Sequence, residues 1–507
     1  MSGYHNNIAP IEAPIEANRQ SVKRHFGVHP YFTRRPPNVV RKYILHYSKE
    51  NDTVLDPFGG SGVTAVEAFL ENRIGIQNDI NPLANFIAQG IASLAKGKLS
   101  DYQTALVSLE QNCRERIAEV FSASESRLRD LENSVNLPED VQLPSNSDVP
   151  RYRDLFSPQQ LISLAILKDE IDQIKNQYTR GGMLLAWSAS LAKLNKTFLS
   201  AEGRAKSRGG SSIFSIYRYK VAKEPVELPV WMIFYERALN ILEAKKEIEH
   251  AIELKKMSHR GWQGKFEIYA QDVEELSCHL KNSVDYIFTD PPYGGNISYL
   301  DLSVLWNSWL GITPGLEARK KELIVGGELR LSDEVYIRRL GDCIRACVRM
   351  LGKKRWLSVV FQHWNIAYFK AILAACSEEG AQLRAAIPQV GYPIWSMHKK
   401  KNKQSVLAGE LILTFYNSGK SSKPITSRTF NVSKSVKNFL SSYKSDKLYG
   451  EYLFNRLVIE AWNNSAIDSL NITPDELINH LEKLGWRYDE RNHYWVKEQS
   501  ADFALFR

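Results

Sequence analysis

Thr53-Val54-Leu55-Asp56-Pro57-Phe58-Gly59-Gly60-Ser61-Gly62 is the stretch that decides the fold. A short β-branched and apolar run ends on an acid and enters a glycine-rich turn. Val63 to Glu71 continues as a helix, and Ile74-Gly75-Ile76 reads as a second short strand running to Asp79. Strand, glycine turn, helix, strand, acid is the opening βαβ unit of an open doubly wound sheet. Glycines at such a turn let a ligand approach the backbone, and an acid one βα unit later can accept hydrogen bonds from ribose hydroxyls. The candidate ligand-binding residues are therefore Asp56, Pro57, Phe58, Gly59, Gly60, Gly62 and Asp79. Their spacing is not the G-x-G-x-x-G of a dinucleotide site, and Asp56 would repel a pyrophosphate while attracting a cationic group.

Working outward, Pro37 to Ser48 places Val39, Val40, Ile44 and Leu45 on one helical face after a Pro-Pro start. Residues 25–96 form the first part of the core, and residues 1–24, with two IEAP-type repeats, a flexible arm. From 97 to 265 the chain turns to long amphipathic stretches such as Leu161 to Tyr178 and Val230 to Lys256, a mainly helical insertion and a possible DNA-recognition region. The α/β rhythm returns over 266–417, with strands expected at Phe266–Tyr269, Val284–Phe288, Leu357–Phe361 and Leu411–Phe415. Residues 418–507 read as a polar linker and a small, mainly helical module, with Thr473-Pro474-Asp475-Glu476 as a helix start. The expected fold class is thus α/β: a Rossmann-like doubly wound sheet with a mainly helical insertion and a small C-terminal helical region. A chain of 507 residues exceeds the size at which one core stops growing, which fits these additions.

Asp290-Pro291-Pro292-Tyr293 follows directly on the apolar strand Val284–Phe288, so it should lie at the carboxyl edge of the sheet, where ligands bind in open α/β folds. The tetrapeptide suits an aromatic amine. The Asp290 carboxylate and the Pro291 carbonyl can accept the two amine N–H bonds, the prolines stiffen the loop, and Tyr293 offers a flat face for a base that has left its duplex.

In these segments the chain resembles the amino-group DNA methyltransferases, the N6-adenine and N4-cytosine enzymes. Val54 to Gly62 resembles their cofactor motif, Asp79-Ile80-Asn81-Pro82 their acidic second motif, and Asp290-Pro291-Pro292-Tyr293 their catalytic motif. His29-Pro30-Tyr31-Phe32-Thr33-Arg34-Arg35-Pro36 looks like the upstream motif that closes over the methionine part of the cofactor. The resemblance implies a Rossmann-like fold, S-adenosyl-L-methionine as cofactor, and further cofactor contacts at Phe32, Thr33 and Asp272. It implies double-stranded DNA with a flipped target base as substrate, in a restriction-modification or defence setting that could include a partner subunit. Asp at the start of the tetrapeptide favours adenine N6, since Ser is more typical of the cytosine-N4 enzymes. Because the sulfonium already activates the methyl, neither a metal nor a covalent enzyme intermediate is needed. The alternatives are a cytosine-N4 enzyme, a tRNA or rRNA guanine-N2 methyltransferase, and an inactive scaffold that binds DNA. The RNA enzymes usually carry a binding module upstream, whereas here about 30 residues precede the core helix.

A net charge of +9 suits a polyanionic partner. The candidate DNA contacts are Arg204, Lys206, Arg208, Tyr217, Arg218 and Lys220, where cations alternate with aromatics and glycines, and Lys399 and Lys400 in a second basic loop. Trp306 and Trp309 at helical spacing read as a packed helix face, and His363 and His398 as structural. The tail, with Trp462, Trp486 and Trp495, is large enough for target recognition or partner docking. Five scattered cysteines suggest buried thiols, with no metal site. No signal peptide or membrane-spanning run is read, so the expected location is cytoplasmic.

Overall fold

The computed structural model describes residues 8–18, 24–200, 209–257, 261–295, 297–391, 403–404, 407–422, 428–448 and 453–498. The chain divides into two compact units. The larger comprises Asn18–Leu276 and Gly295–Ser332, the smaller Met1–Ala17, Ser277–Gly294 and Asp333–Arg507. The main strands, three in the larger unit and four in the smaller, alternate with helices in an α/β, Rossmann-like pattern.

In the larger unit, β1 (Thr53–Asp56), β2 (Ile74–Asn78) and β3 (Lys265–Tyr269) run parallel in the order 3-2-1. Parallel strands need crossovers, and the first is α2 (Val63–Leu70), buried along its whole length between β1 and β2 in sequence. Helix α1 (Pro37–Tyr47) begins at the Pro-Pro pair, and α3 (Pro82–Ser93) begins after Asn81, whose side chain accepts from the Leu83 N–H. The stretch between α3 and β3 is largely helical, with α4 (Leu99–Ser122), α5 (Pro158–Asp172), α6 (Gln177–Ser190) and α7 (Val230–Lys256). Helix α6 packs on α3 and α7. The expected long stretch Leu161 to Tyr178 is two helices, because Asn176 caps α6 by accepting from Tyr178 and Thr179 N–H.

In the smaller unit, β4 (Val284–Thr289) and β5 (Leu351–Phe361) are parallel, and β7 (Leu411–Asn417) lies antiparallel between β5 and β6 (Ala381–Pro388), giving the order 4-5-7-6. Helices α9 (Asp333–Met350) and α10 (Ile366–Glu378) cover this part, and α8 (Val304–Leu310) belongs to the larger unit. Within the N-terminal arm, Glu16–Ala17 pair in parallel with Val390–Gly391. The tail holds α11 (Val432–Ser442), α12 (Leu453–Asn463) and α13 (Pro474–Lys483), the last with a complete Thr473/Glu476 capping box. It also contains a three-stranded antiparallel sheet of Lys447–Leu448, Tyr494–Lys497 and Trp486–Asp489, in that order, which buries Trp486 and Trp495.

Candidate active site

The carboxyl ends of β1, β2 and β3 each deliver an acid. Asp56 ends β1, Asp79 follows β2, and Asp272 lies three residues beyond β3. Asn78 ties these ends together: its Nδ2 donates to the carbonyls of Pro57 (3.0 Å) and Gln271 (3.1 Å), and its Oδ1 accepts from the Gln271 N–H.

The glycine turn is shaped from within. Asp56 accepts from the Phe58 N–H (3.1 Å) and the Thr64 hydroxyl (2.8 Å), which holds the turn against the start of α2. Gly62 has φ +87°, and a Cβ there would sit 2.5 Å from Ala88 Cβ, so both backbone and α3 require glycine. A Cβ on Gly59 would meet Gln77 Oε1 at 2.1 Å. That buried oxygen has no hydrogen-bond partner among the described residues. Asp79 accepts from the N–H groups of Gly60 (2.9 Å) and Asn81 (2.8 Å). Desolvation raises its pKa to about 6, and these two N–H groups hold the rise in check.

The upstream motif reaches the same turn. Arg34 Nε donates to Ser61 Oγ (2.9 Å), and its Nη2 to the His29 carbonyl. Burial lowers the Arg34 pKa only to about 10, so it stays charged. His29 is fully buried, bridged between the Pro30 carbonyl (2.7 Å) and Ser188 Oγ (3.0 Å); burial pushes its pKa to about 3 and it is neutral. Phe32 meets Tyr299 edge-on at 5.6 Å and packs on Phe214 at 5.4 Å, while Thr33 Oγ1 hydrogen-bonds Tyr299 Oη (3.2 Å). Tyr31 stacks on Tyr299 at 6.2 Å. Asn81 reaches back to Ser303 Oγ (2.8 Å). The turn is thus flanked by acids and by an aromatic ledge of Tyr31, Phe32 and Tyr299.

In the smaller unit, Asp290 directly follows β4. Tyr293 Oη donates to Asp290 Oδ1 (2.5 Å), and its ring meets Phe361, the last residue of β5, nearly edge-on at 5.2 Å. Tyr336 of α9 donates to the Pro292 carbonyl. Gly294 has φ +68°, and a Cβ there would lie 3.2 Å from the Tyr368 ring and 3.5 Å from His363 Nε2. Tyr368 donates to Asp333, while His363 Nδ1 accepts the Asn365 N–H (2.9 Å), which fixes its proton on Nε2. The diproline is therefore fastened on one side by α9 and bordered by the rings of Tyr293, Phe361, Tyr336 and Tyr368.

The candidate DNA contacts fare differently. Arg204, Lys206, Arg208, Lys399 and Lys400, with His398, lie outside the described residues. Tyr217 is half-buried at φ +52°. Arg218 pairs with Asp148 (2.5 Å), and exposed Lys220 bonds Ser212 through its backbone. The neighbouring Tyr219 is structural: fully buried, it donates to the Leu302 carbonyl (2.7 Å) and accepts from the Leu305 N–H (3.0 Å). Trp306 and Trp309 are buried on α8, as a packed helix face requires. No group of three or more His, Cys, Asp or Glu that could hold a metal occurs among the described residues, nor any helix long and apolar enough to cross a membrane.

Parallel strands, a glycine turn and acidic strand ends define a Rossmann-like α/β protein. Residues 10–88 match the family model for N6/N4 methyltransferases, described as DNA methylase. The type II methyltransferase M.HinfI of Haemophilus influenzae is 38% identical over 63 residues, which are 12% of this chain and 18% of that protein. The family-model match spans the upstream motif, the glycine turn and the acid that follows β2. The chain spans less than a fifth of that relative's length. An rRNA methyltransferase, aviRa from Streptomyces viridochromogenes, aligns in structure with a TM-score of 0.28 at 11% identity, over 79% of this chain and 94% of that one.

Proposed function

We propose that the chain is an S-adenosylmethionine-dependent DNA methyltransferase that methylates an exocyclic base amine, adenine N6 before cytosine N4, in a restriction-modification or defence setting. The observation that carries the reading is the loading of the strand ends. Those of β1, β2 and β3 hold a glycine turn and acids, and that of β4 holds an acid, a diproline and an aromatic ring.

The residues fit the cofactor. Asp79 is placed to accept from ribose hydroxyls, the ledge of Tyr31, Phe32 and Tyr299 offers apolar faces, and the acids suit its cationic end. When bound, the cofactor supplies an electrophilic methyl on a positively charged sulfur. The chain's own contribution is binding, orientation and charge. Asp290 accepts an amine N–H and stabilises the positive charge that grows on nitrogen during transfer. The Pro291 carbonyl takes the second N–H, and Tyr336 anchors the adjacent Pro292 carbonyl. Tyr293 gives up its bond to Asp290 as a base stacks on its ring.

Incubation with methyl-labelled cofactor and duplex DNA, followed by nucleoside mass spectrometry, tests the proposal. Labelled N6-methyladenine is the expected product. N4-methylcytosine would move the choice of base, and label only in tRNA or rRNA would contradict the DNA reading.

A further inference from the structure

Ile216 is a large apolar residue left 47% exposed in a loop that is fastened on both sides. Before it, the short helix Ser212–Ser215 carries Phe214, whose ring packs on Phe32 of the ledge at 5.4 Å and on Trp306 at 5.7 Å. After it, buried Tyr219 donates to the carbonyl of Leu302 (2.7 Å), the last residue of the short helix that Tyr299 begins. The loop is also closed on itself. Ser212 Oγ lies 2.9 Å from the carbonyls of Arg218 and Lys220 and accepts the Lys220 N–H (3.1 Å). Asp148 pairs with Arg218 (2.5 Å) and accepts the Val221 N–H (3.1 Å). Tyr217 is held at φ +52°, which a bulky residue adopts only where its surroundings impose it. Ile216 is two residues past Phe214, so its Cα lies within about 7 Å of that of Phe214. Ordering a loop costs conformational entropy, and here the fold meets that cost to hold an isoleucine in water.

We infer that Ile216 is a wedge that enters the stacked bases of duplex DNA beside the target base. This rests on the DNA methyltransferase reading above. Transfer to a base amine requires the base to leave its stack and lie against the cofactor's methyl, which opens a gap in the duplex. Phe32 and Tyr299 flank the candidate cofactor site, and the loop is anchored to the first by Phe214 and to the helix of the second by Tyr219. Ile216 stands between these two anchors in the chain, next to where that gap opens. Apolar side chains inserted between base steps unstack them. Isoleucine suits the task, because it is stiff at χ1 and has no polar group to desolvate. The charges agree: Arg218, Lys220 and Lys223, which follow it, are all exposed and supply cations for the flanking phosphates.

Single-turnover methylation by the full-length protein on two versions of one DNA duplex tests this. One version is fully paired; the other has an abasic site opposite the target base, where extrusion already costs less. Ile216→Ala should methylate the paired duplex about tenfold more slowly than wild type, because the cost of unstacking is no longer offset. On the duplex with the abasic site its rate should return to near that of wild type, and S-adenosylmethionine should bind it as tightly, which shows that the site is folded. Ile216→Leu, which keeps an apolar wedge, should retain most of the rate on the paired duplex. An undiminished rate for Ile216→Ala on the paired duplex, or an equal loss on both duplexes, overturns the inference and leaves the DNA methyltransferase reading intact. Failure of wild type to methylate either duplex overturns both.

Discussion

His25 shows how a single residue ties the chain ahead of the upstream motif to two helices. Its ring is buried between two acids, with Nδ1 3.0 Å from Glu247 of α7 and Nε2 3.9 Å from Glu67 of α2. Burial alone would depress its pKa, but the bonds and charges of Glu247 and Glu67 outweigh it and the value is raised. A raised histidine stabilises the fold fully below its unfolded pKa of about 6.5, and that contribution is lost as pH rises through the folded value. The stability difference between wild type and His25→Gln, followed by urea unfolding from pH 5.5 to 8.5, should therefore shrink as pH rises. Parallel curves would contradict this. Nothing in the local sequence marks His25 for this role, because both partner acids, Glu67 and Glu247, lie far along the chain.

At the scale of elements, the tetrapeptide depends on α9 and α10 as much as on its own prolines. Tyr336→Phe removes the donor to the Pro292 carbonyl with little change in volume. Losing one such hydrogen bond is worth about 1 kcal/mol, so kcat should fall about fivefold while cofactor affinity holds. A matched loss of cofactor affinity would instead mean general unfolding of the site. The two candidate segments, Asp56 to Gly62 in the larger unit and Asp290 to Tyr293 in the smaller, stand out in the sequence because strand, turn and acid are neighbours in each. Tyr31, Asn81, Tyr299, Tyr336 and Phe361 could not be given their places, because only folding brings them to those strand ends. The same rule governs the strands. β1, β4 and β7 are almost wholly buried and apolar, so their runs stand out. β6 is the edge strand Ala381–Pro388, with exposed Gln382 and a proline at its end, and it gave no signal. β5 begins at Leu351, earlier than its apolar run suggests, because exposed Lys353 and Lys354 extend it.

At the scale of the whole molecule, the tail is part of the smaller unit's core. Phe454 of α12 is fully buried, its ring 4.5 Å from Trp364, and its N–H donates to the Leu407 carbonyl (2.9 Å). Gln362 and Asn455 bind the carbonyls of Ala408 and Gly409. Trp364 lies one residue past His363, so the tail buttresses the loop after β5 that borders the tetrapeptide. Phe454→Ala should cost about 3–5 kcal/mol, read as a lowered denaturation midpoint. A cost below about 1 kcal/mol would show the tail to be independent of this core. On α13, Asp475 and Glu482 engage Gln404 (3.3 Å) and Lys403 (3.1 Å), so these two acids hold the end of the basic loop. The sequence marked the tail as a small module but did not reveal its sheet, because strands of two to four residues leave too short an alternation to read.

The central claim is that Asp290 serves methyl transfer and not the holding of the cofactor. Asp290→Ala, compared with wild type for S-adenosylmethionine binding by calorimetry and for methylation of duplex DNA under single-turnover conditions, tests it most directly. The account predicts near-normal cofactor affinity with a methylation rate lower by roughly 10²–10³-fold or more, as for other groups that stabilise developing charge. Near-normal methylation by Asp290→Ala would contradict it.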